Sequence, residues 1–268
     1  MNDRNAPIGV FDSGVGGLTV AREIFTLLPR ENILYFGDDG RFPYGPRPAE
    51  EVRVFAEQIL DLLLDRGVKM VVVACNTVSA LALPQLLQRS PVPLLGVIED
   101  TARYAAGLTC NGKVGVLATP GTVGSGAYPR AFAAINPAIE VLAIASQPLV
   151  NLVENGNSAH PEVRAYAAET VDPFRRFGVD VLVLGCTHYP YLARLMTELM
   201  GAQAVIVDPA IAVSLRLAAE LREQDLLSPE GAGRRLFLTS GDPNQFLTVG
   251  RQIDPGLTDV QPWRWPDE

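Results

Sequence analysis

Apolar residues in this chain gather in short, unbroken, β-branched runs, each followed by a longer stretch with helical periodicity. Runs at 8–12, 33–36, 70–74 and 93–98 predict four strands, separated by helices at 17–28, 49–66 and 77–89 and an irregular loop at 38–48. The same alternation then continues with helices at 99–107, 122–134, 148–155, 160–176 and 190–200 and strands at 113–118, 139–144 and 179–185. A strand at 203–207, a helix at 209–224 and a strand at 235–240 complete the pattern. Continuously apolar strands are those buried on both faces. Strands alternating with helices place the chain in the α/β class, with mostly parallel sheets and right-handed crossovers. Pro84 should kink or restart its helix, whereas Pro190 suits a first turn.

The pattern also repeats at a larger scale. IGVFDSGVGG resembles VGVLATPGTV, placing Gly9 and Gly115 106 residues apart, and VVVACNT resembles VLVLGCTHYP, placing Cys75 and Cys186 111 residues apart. Nearly equal offsets point to two similar αβ halves, each with one glycine turn and one cysteine at a strand end. The carboxyl end of a parallel strand is where open α/β sheets build active sites, and a helix start favours a thiolate. Two such thiols fit chemistry that needs a proton donor and a proton acceptor on opposite sides of one substrate.

Composition narrows the possible chemistry. With 268 residues, 48% hydrophobic and 19% charged, the chain can bury a substantial core. Its net charge of −8, without a basic run, disfavours nucleic acid and anionic membranes as partners. No apolar run reaches a membrane span and no apolar signal core precedes the first strand, so a cytoplasmic location is expected. The two lysines, Lys69 and Lys113, precede strands and stand at the wrong end to form a Schiff base with pyridoxal phosphate. The two histidines, His160 and His188, are too far apart for a local metal-ligand motif. No cofactor and no metal is expected. Three cysteines without a CxxC argue against a disulfide framework, and Cys110 in its GLTCNGK turn reads as incidental.

Among the polar segments, DSGVGG (12–17) can be either a loop whose amides receive a carboxylate or phosphate, or a structural turn capped by Asp12 or Ser13. Its glycine spacing is not that of a nucleotide loop. In YFGDDGRFPYG, Asp38 could bond a ligand amine or a neighbouring loop, and Pro43, Tyr44 and Gly45 read as a rigid wall. Asn76, Thr77 and Thr187 offer donors to a carboxylate without a cation, and His188 beside Cys186 could move a proton or hold a thiolate. Glu154 alone reads as a solvated residue at a helix end.

Together, IGVFDSGVGGLTV, the YFGD…PYG loop, VVACNT, GVIE (96–99), GTVGSGAY (121–128), LVENGN (152–157), LGCTHYP and TSGD (239–242) resemble the glutamate racemases of the cofactor-independent aspartate/glutamate racemase superfamily, across nearly the whole chain. The resemblance implies two pseudo-symmetric αβ domains, 1–98 with 208–268 and 99–207, with the active site in the cleft between them. It implies that Cys75, aided by Asp12, acts as base toward D-glutamate. Cys186, aided by His188 and Glu154, would act toward L-glutamate. Asp12, Ser13, Pro43, Tyr44, Gly45, Asn76, Thr77, Thr119, Thr122, Thr187 and His188 would line the substrate site of a homodimer that supplies D-glutamate for peptidoglycan. Asp39-Gly40 replaces the usual Thr-Ala, Val78 stands where a small residue is common, and Ser146 takes a frequent cysteine position. Asp39 is expected to add charge on the route of an acidic substrate. The alternatives are another amino-acid racemase of the superfamily, or a non-catalytic binding module.

Overall fold

The computed structural model describes residues 3–154, 161–229 and 233–266. His160 and the end of the LVENGN segment lie outside the described residues. Among the described residues, ten strands form two sheets, all of whose pairings are parallel. They are β1 (Ile8–Asp12), β2 (Ile33–Gly37), β3 (Met70–Val73), β4 (Leu94–Gly96), β5 (Lys113–Ala118), β6 (Glu140–Ala145), β7 (Val181–Gly185), β8 (Val205–Val207), β9 (Arg235–Thr239) and β10 (Gln261–Pro262). The larger sheet runs β10-β9-β2-β1-β3-β4 and the smaller β6-β5-β7-β8.

The repeat inferred from offsets is visible in this order, because β2-β1-β3-β4 and β6-β5-β7-β8 have the same topology. Gly9 pairs with Leu34 and Val71, and Gly115 with Leu142 and Leu182, so the two glycines hold equivalent places on the central strands. Both are needed for the same reason. A Cβ at Gly9 would stand 3.1 Å from a Leu63 methyl, and one at Gly115 2.7 Å from the Phe174 ring. These residues lie on the corresponding crossover helices, which pack close over their central strands.

Twelve helices cover the sheets among the described residues. In the first half these are α1 (Leu18–Leu27), α2 (Ala49–Asp65), α3 (Asn76–Leu81), α4 (Leu83–Arg89) and α5 (Ile98–Ala106). There follow α6 (Pro120–Ser125), α7 (Ala127–Ile135), α8 (Gln147–Glu154), α9 (Pro161–Phe177), α10 (Ala193–Met200), α11 (Pro209–Glu223) and α12 (Pro243–Gly250). The helix expected over 77–89 is restarted at Pro84, which takes an early position in α4 where its missing N–H costs nothing. The single helix expected over 122–134 is instead two, because Gly126 adopts φ +68° between α6 and α7. Pro190 belongs to a short 3₁₀ turn, Tyr189–Leu192, ahead of α10.

The central strands of each sheet are buried on both faces, as the unbroken apolar runs require, while the edge strand β6 is only partly covered. Phe11, Leu34, Val71 and Val73 meet α2 and α3 on one face of the larger sheet. Leu117, Leu182 and Leu184 meet α8, α9 and α10 on one face of the smaller. The remaining two faces share one core, in which Ile8, Val72, Val116 and Val183 join side chains from α1, α5, α7 and α11. No helix among the described residues is long and apolar enough to cross a membrane.

At the amino ends of the larger sheet's strands, Lys69 Nζ donates to Glu31 at 2.5 Å and to the carbonyls of Arg4 and Leu226, with both charged side chains almost fully buried. Glu31 also accepts the Ser228 N–H. Removing one member of such a pair strands the other charge in the core. Glu31→Ala is therefore expected to lower the unfolding free energy by about 3–5 kcal/mol in urea denaturation, and a loss below about 1 kcal/mol would mean that water reaches the pair.

Candidate active site

The carboxyl ends of strands from both sheets converge on one small cavity. Its wall consists of Ser13 after β1, Phe42, Pro43, Tyr44 and Gly45 after β2, Cys75, Asn76 and Thr77 after β3, Thr119 after β5, Gln147 and Val150 in α8, and Cys186, Thr187 and His188 after β7. The space open to the centre of a water molecule is about 10 Å³, room for one water and not for an amino acid.

The polar groups of the two halves bond to one another across this cavity. Thr187 Oγ1 donates to Asp12 Oδ2 at 3.3 Å, and Tyr128 Oη donates to Asn76 Oδ1 at 2.8 Å. The hydroxyls of Thr77 and Thr119 are 2.9 Å apart, and the Gly121 N–H donates to the Gly45 carbonyl at 2.8 Å. Thr122 stands behind the wall, its hydroxyl 3.0 Å from that of Thr119, which also caps α6. Asn76 Nδ2, in contrast, is buried on the wall without a hydrogen-bond partner among the described residues. A buried, uncommitted amide donor is what a carboxylate ligand would satisfy.

The two cysteines occupy equivalent places but unlike surroundings. Cys75 precedes α3, donates to Ser13 Oγ at 3.7 Å and is buried. Burial, and then the charge of Asp12, push its thiol up to about 12, against the pull of the Val78 N–H and Ser13. The expectation that a helix start lowers the pKa of this thiol is thus reversed, because the six-residue α3 cannot offset complete desolvation. Asp12 is itself wholly buried at the end of β1, where burial pushes its carboxyl up to about 6 while His188 and the bonds from Gly14 and Thr187 pull it down.

On the other side, Cys186 Sγ lies 3.6 Å from His188 Nδ1, and His188 Nε2 lies 2.5 Å from Glu154 Oε1. Burial alone would lower the imidazole's pKa. The bonds to Cys186 and Glu154 outweigh it and hold His188 well above its ordinary value. Glu154, read from sequence as a solvated residue, is thereby the partner of a buried histidine, although it does not line the cavity.

Both readings of DSGVGG are answered by where its amides point. The Gly14 N–H donates to Asp12 at 3.1 Å and the Val15 N–H to Asp39 at 3.0 Å, so the loop receives carboxylates of its own chain. Gly16 lets this loop pass under the opposite half, since a Cβ there would lie 2.6 Å from Thr187 Oγ1 and 2.7 Å from the His188 ring. Asp39 also accepts from Thr239 Oγ1 at 2.7 Å. It lines a neighbouring cavity with Val15, Phe42 and Glu154 rather than the cavity of the cysteines, and burial pushes its carboxyl up to about 7. Cys110 is exposed and remote from the site.

Sequence reasoning passed over Phe42, Gln147 and Val150. Gln147 Nε2 donates to Asn151 Oδ1, while its Oε1 is buried and without a partner among the described residues. A signal for Gln147 existed in the repeat. Since β6 is the counterpart of β2, residues following β6 should face the cavity as the Pro43–Gly45 wall does.

Of the residues singled out from sequence, Ser13, Pro43, Tyr44, Gly45, Cys75, Asn76, Thr77, Thr119, Cys186, Thr187 and His188 meet at the wall. Asp12, Thr122 and Glu154 stand behind it, bonded to members of the wall.

The Asp/Glu/hydantoin racemase family model matches residues 8–215. A glutamate racemase of Mycobacterium ulcerans is 45% identical over 267 residues, covering 98% of each chain. The structure of glutamate racemase isoform RacE1 from Bacillus anthracis superposes with a TM-score of 0.95 at 34% identity, covering 98% of this chain and 99% of that one. Glutamate racemase from Francisella tularensis in complex with D-glutamate gives 0.91 at 33% identity, covering 97% of each. On the matched segment, the shared fold and the full-length similarity, the chain belongs to the Asp/Glu/hydantoin racemase family.

Proposed function

We propose that the chain interconverts L- and D-glutamate by a two-base mechanism in which Cys75 and Cys186 exchange protons with the α-carbon. The reading is carried by one observation. Two buried thiols line a single cavity from equivalent strand ends of two sheets, one beside a carboxylate and the other beside a histidine–glutamate pair. The relatives named glutamate racemase, and the D-glutamate in the Francisella complex, support glutamate as the substrate.

The α-proton of an amino acid is very weakly acidic, so the wall must stabilise the charge that develops as it leaves. Asn76, Thr77, Thr119 and Thr187 supply uncharged donors in a desolvated site, where each is worth more than in water. Starting from D-glutamate, Asp12 accepts the Cys75 proton. The thiolate then removes the proton on carbon, and the Cys186 thiol delivers one to the opposite face. The reverse direction begins at Cys186, whose proton passes to His188 with Glu154 as the counter-charge. A thiol pushed up to about 12 makes Cys75 a strong base once it is deprotonated, and ties that step to Asp12.

The cavity is too small for glutamate while the cross-cavity bonds hold, so the halves must part to admit it. The moving units proposed are 1–98 with 208–268, and 99–207. A cytoplasmic homodimer supplying D-glutamate for peptidoglycan is the physiological setting we infer.

Cys75→Ser and Cys186→Ser are each expected to reduce racemisation by more than about 10²-fold in circular dichroism of D- and L-glutamate, with no added cofactor. Full activity in either variant would break the two-base assignment, and turnover of aspartate in place of glutamate would move the substrate within the family. Because the raised carboxyl of Asp12 ionises near pH 6, kcat/KM for D-glutamate should fall as pH drops through about 6. The residual activity of Asp12→Asn should lack that limb. A limb unchanged in the variant would assign it to another group.

A further inference from the structure

Asp38 lies at the carboxyl end of β2, is completely buried, and does not itself line the cavity. Its Oδ1 accepts from Ser240 Oγ at 2.6 Å and from the indole Nε1 of Trp265 at 3.2 Å. Its Oδ2 accepts from Arg41 Nε at 2.7 Å and from the hydroxyl of Tyr44, a member of the wall. Four donors thus converge on a carboxylate that burial would otherwise make costly. The Asp38 N–H also donates to the Asp12 carbonyl at 3.1 Å.

Trp265 holds this cluster from outside. The segment that carries it runs beside β9, with the Trp263 N–H donating to the Thr239 carbonyl at 2.7 Å. The Trp265 indole packs edge-on against Phe36, with ring centres 5.5 Å apart. The Arg41 guanidinium is clamped between the Trp265 and Phe55 rings, at 3.9 and 4.1 Å from their centres. Arg41 Nη1 also donates to Gln58 Oε1, while its buried Nη2 has no hydrogen-bond partner among the described residues, so the two aromatic faces complete the restraint on the guanidinium. Tyr44 in turn is fully buried, stacks on Phe55 at 5.5 Å, and belongs to the Pro43–Gly45 wall.

We propose that Trp265 and Arg41 are positioning residues: acting through Asp38 and Tyr44, they set the Pro43–Gly45 wall, so that a segment outside the cavity fixes how tightly the wall receives the substrate. The inference rests on the glutamate racemase reading. The wall is its substrate-binding part and the cysteines its chemical part, so disturbing the cluster should change KM far more than kcat.

The test is a double-mutant cycle of Trp265→Phe, which keeps an aromatic face but loses the indole donor, and Tyr44→Phe, which loses the hydroxyl. Each should raise KM for D-glutamate by roughly three- to tenfold with kcat within about twofold. The double variant should be little worse than the worse single one, because both act through one carboxylate. Arg41→Lys, which keeps the charge but not the planar stack, should give the same KM shift and serves if Trp265→Phe does not fold. Amide hydrogen exchange provides a readout that does not depend on the substrate. Trp265→Phe should accelerate exchange at residues 44–47, whereas a merely local role would accelerate it only at 235–240 and 261–266. An unchanged KM in a folded Trp265→Phe variant, additive effects in the cycle, or exchange confined to the tail would overturn the proposal. If the unmodified protein fails to turn over glutamate while the exchange at 44–47 still responds, the substrate reading falls and the positioning role stands.

Discussion

The carboxylate of Asp12 is wholly buried at the end of a central strand, and much of the site follows from how that charge is accommodated. Its own loop supplies one donor through Gly14 and the opposite half supplies another through Thr187. The second donor can arrive only because Gly16 leaves room for Thr187 and His188. A requirement of elementary electrostatics, that a desolvated charge be hydrogen-bonded, thereby brings two sheets to one point and sets both thiols beside it. Bonds from Tyr128 to Asn76, from Thr77 to Thr119 and from Gly121 to Gly45 complete the same closure with neutral groups.

Equivalent topology has been given unequal chemistry. Cys75 and Cys186 follow corresponding strands, β3 and β7, yet one faces an anion and the other a cation-forming imidazole. Burial, and then the carboxylate of Asp12, keep the proton of Cys75 on sulfur. On the other side, an imidazole held by Glu154 supplies positive charge without a metal or a lysine. The proposed two-base reaction would not require symmetrical acids and bases, only that each side be able to hold the proton the other gives up.

Much of this was legible in the chain. MVVV and VLVLG could be read as buried parallel strands because they are apolar without alternation, and each ends at a cysteine. The near-equal spacing of Gly9 to Gly115 and Cys75 to Cys186 anticipated the repeated strand order. What was not legible depends on contacts distant in sequence. Gln147 lies in an unremarkable SQPLV segment, and only its place after β6 brings it to the wall. The helix break at Gly126 is set by a backbone conformation that glycine permits without announcing. Helix α12 and strand β10 went unpredicted because β10 is two residues long and is defined by its pairing with β9. The partners of Asp39, Val15 and Thr239, could not be read from the chain because they lie 24 and 200 residues away.

The close approach at Gly16 also governs timing. The imidazole of His188 is kept dry in part by the loop that follows β1, which belongs to the other sheet. Parting of the halves at that contact would admit water to the ring while leaving its bonds to Cys186 and Glu154, which are made within one half. Solvent would then compete for the protons of the histidine–thiol pair only while the proposed cleft stands open. Dryness at the ring is thus a property of closure itself, supplied without any separate lid.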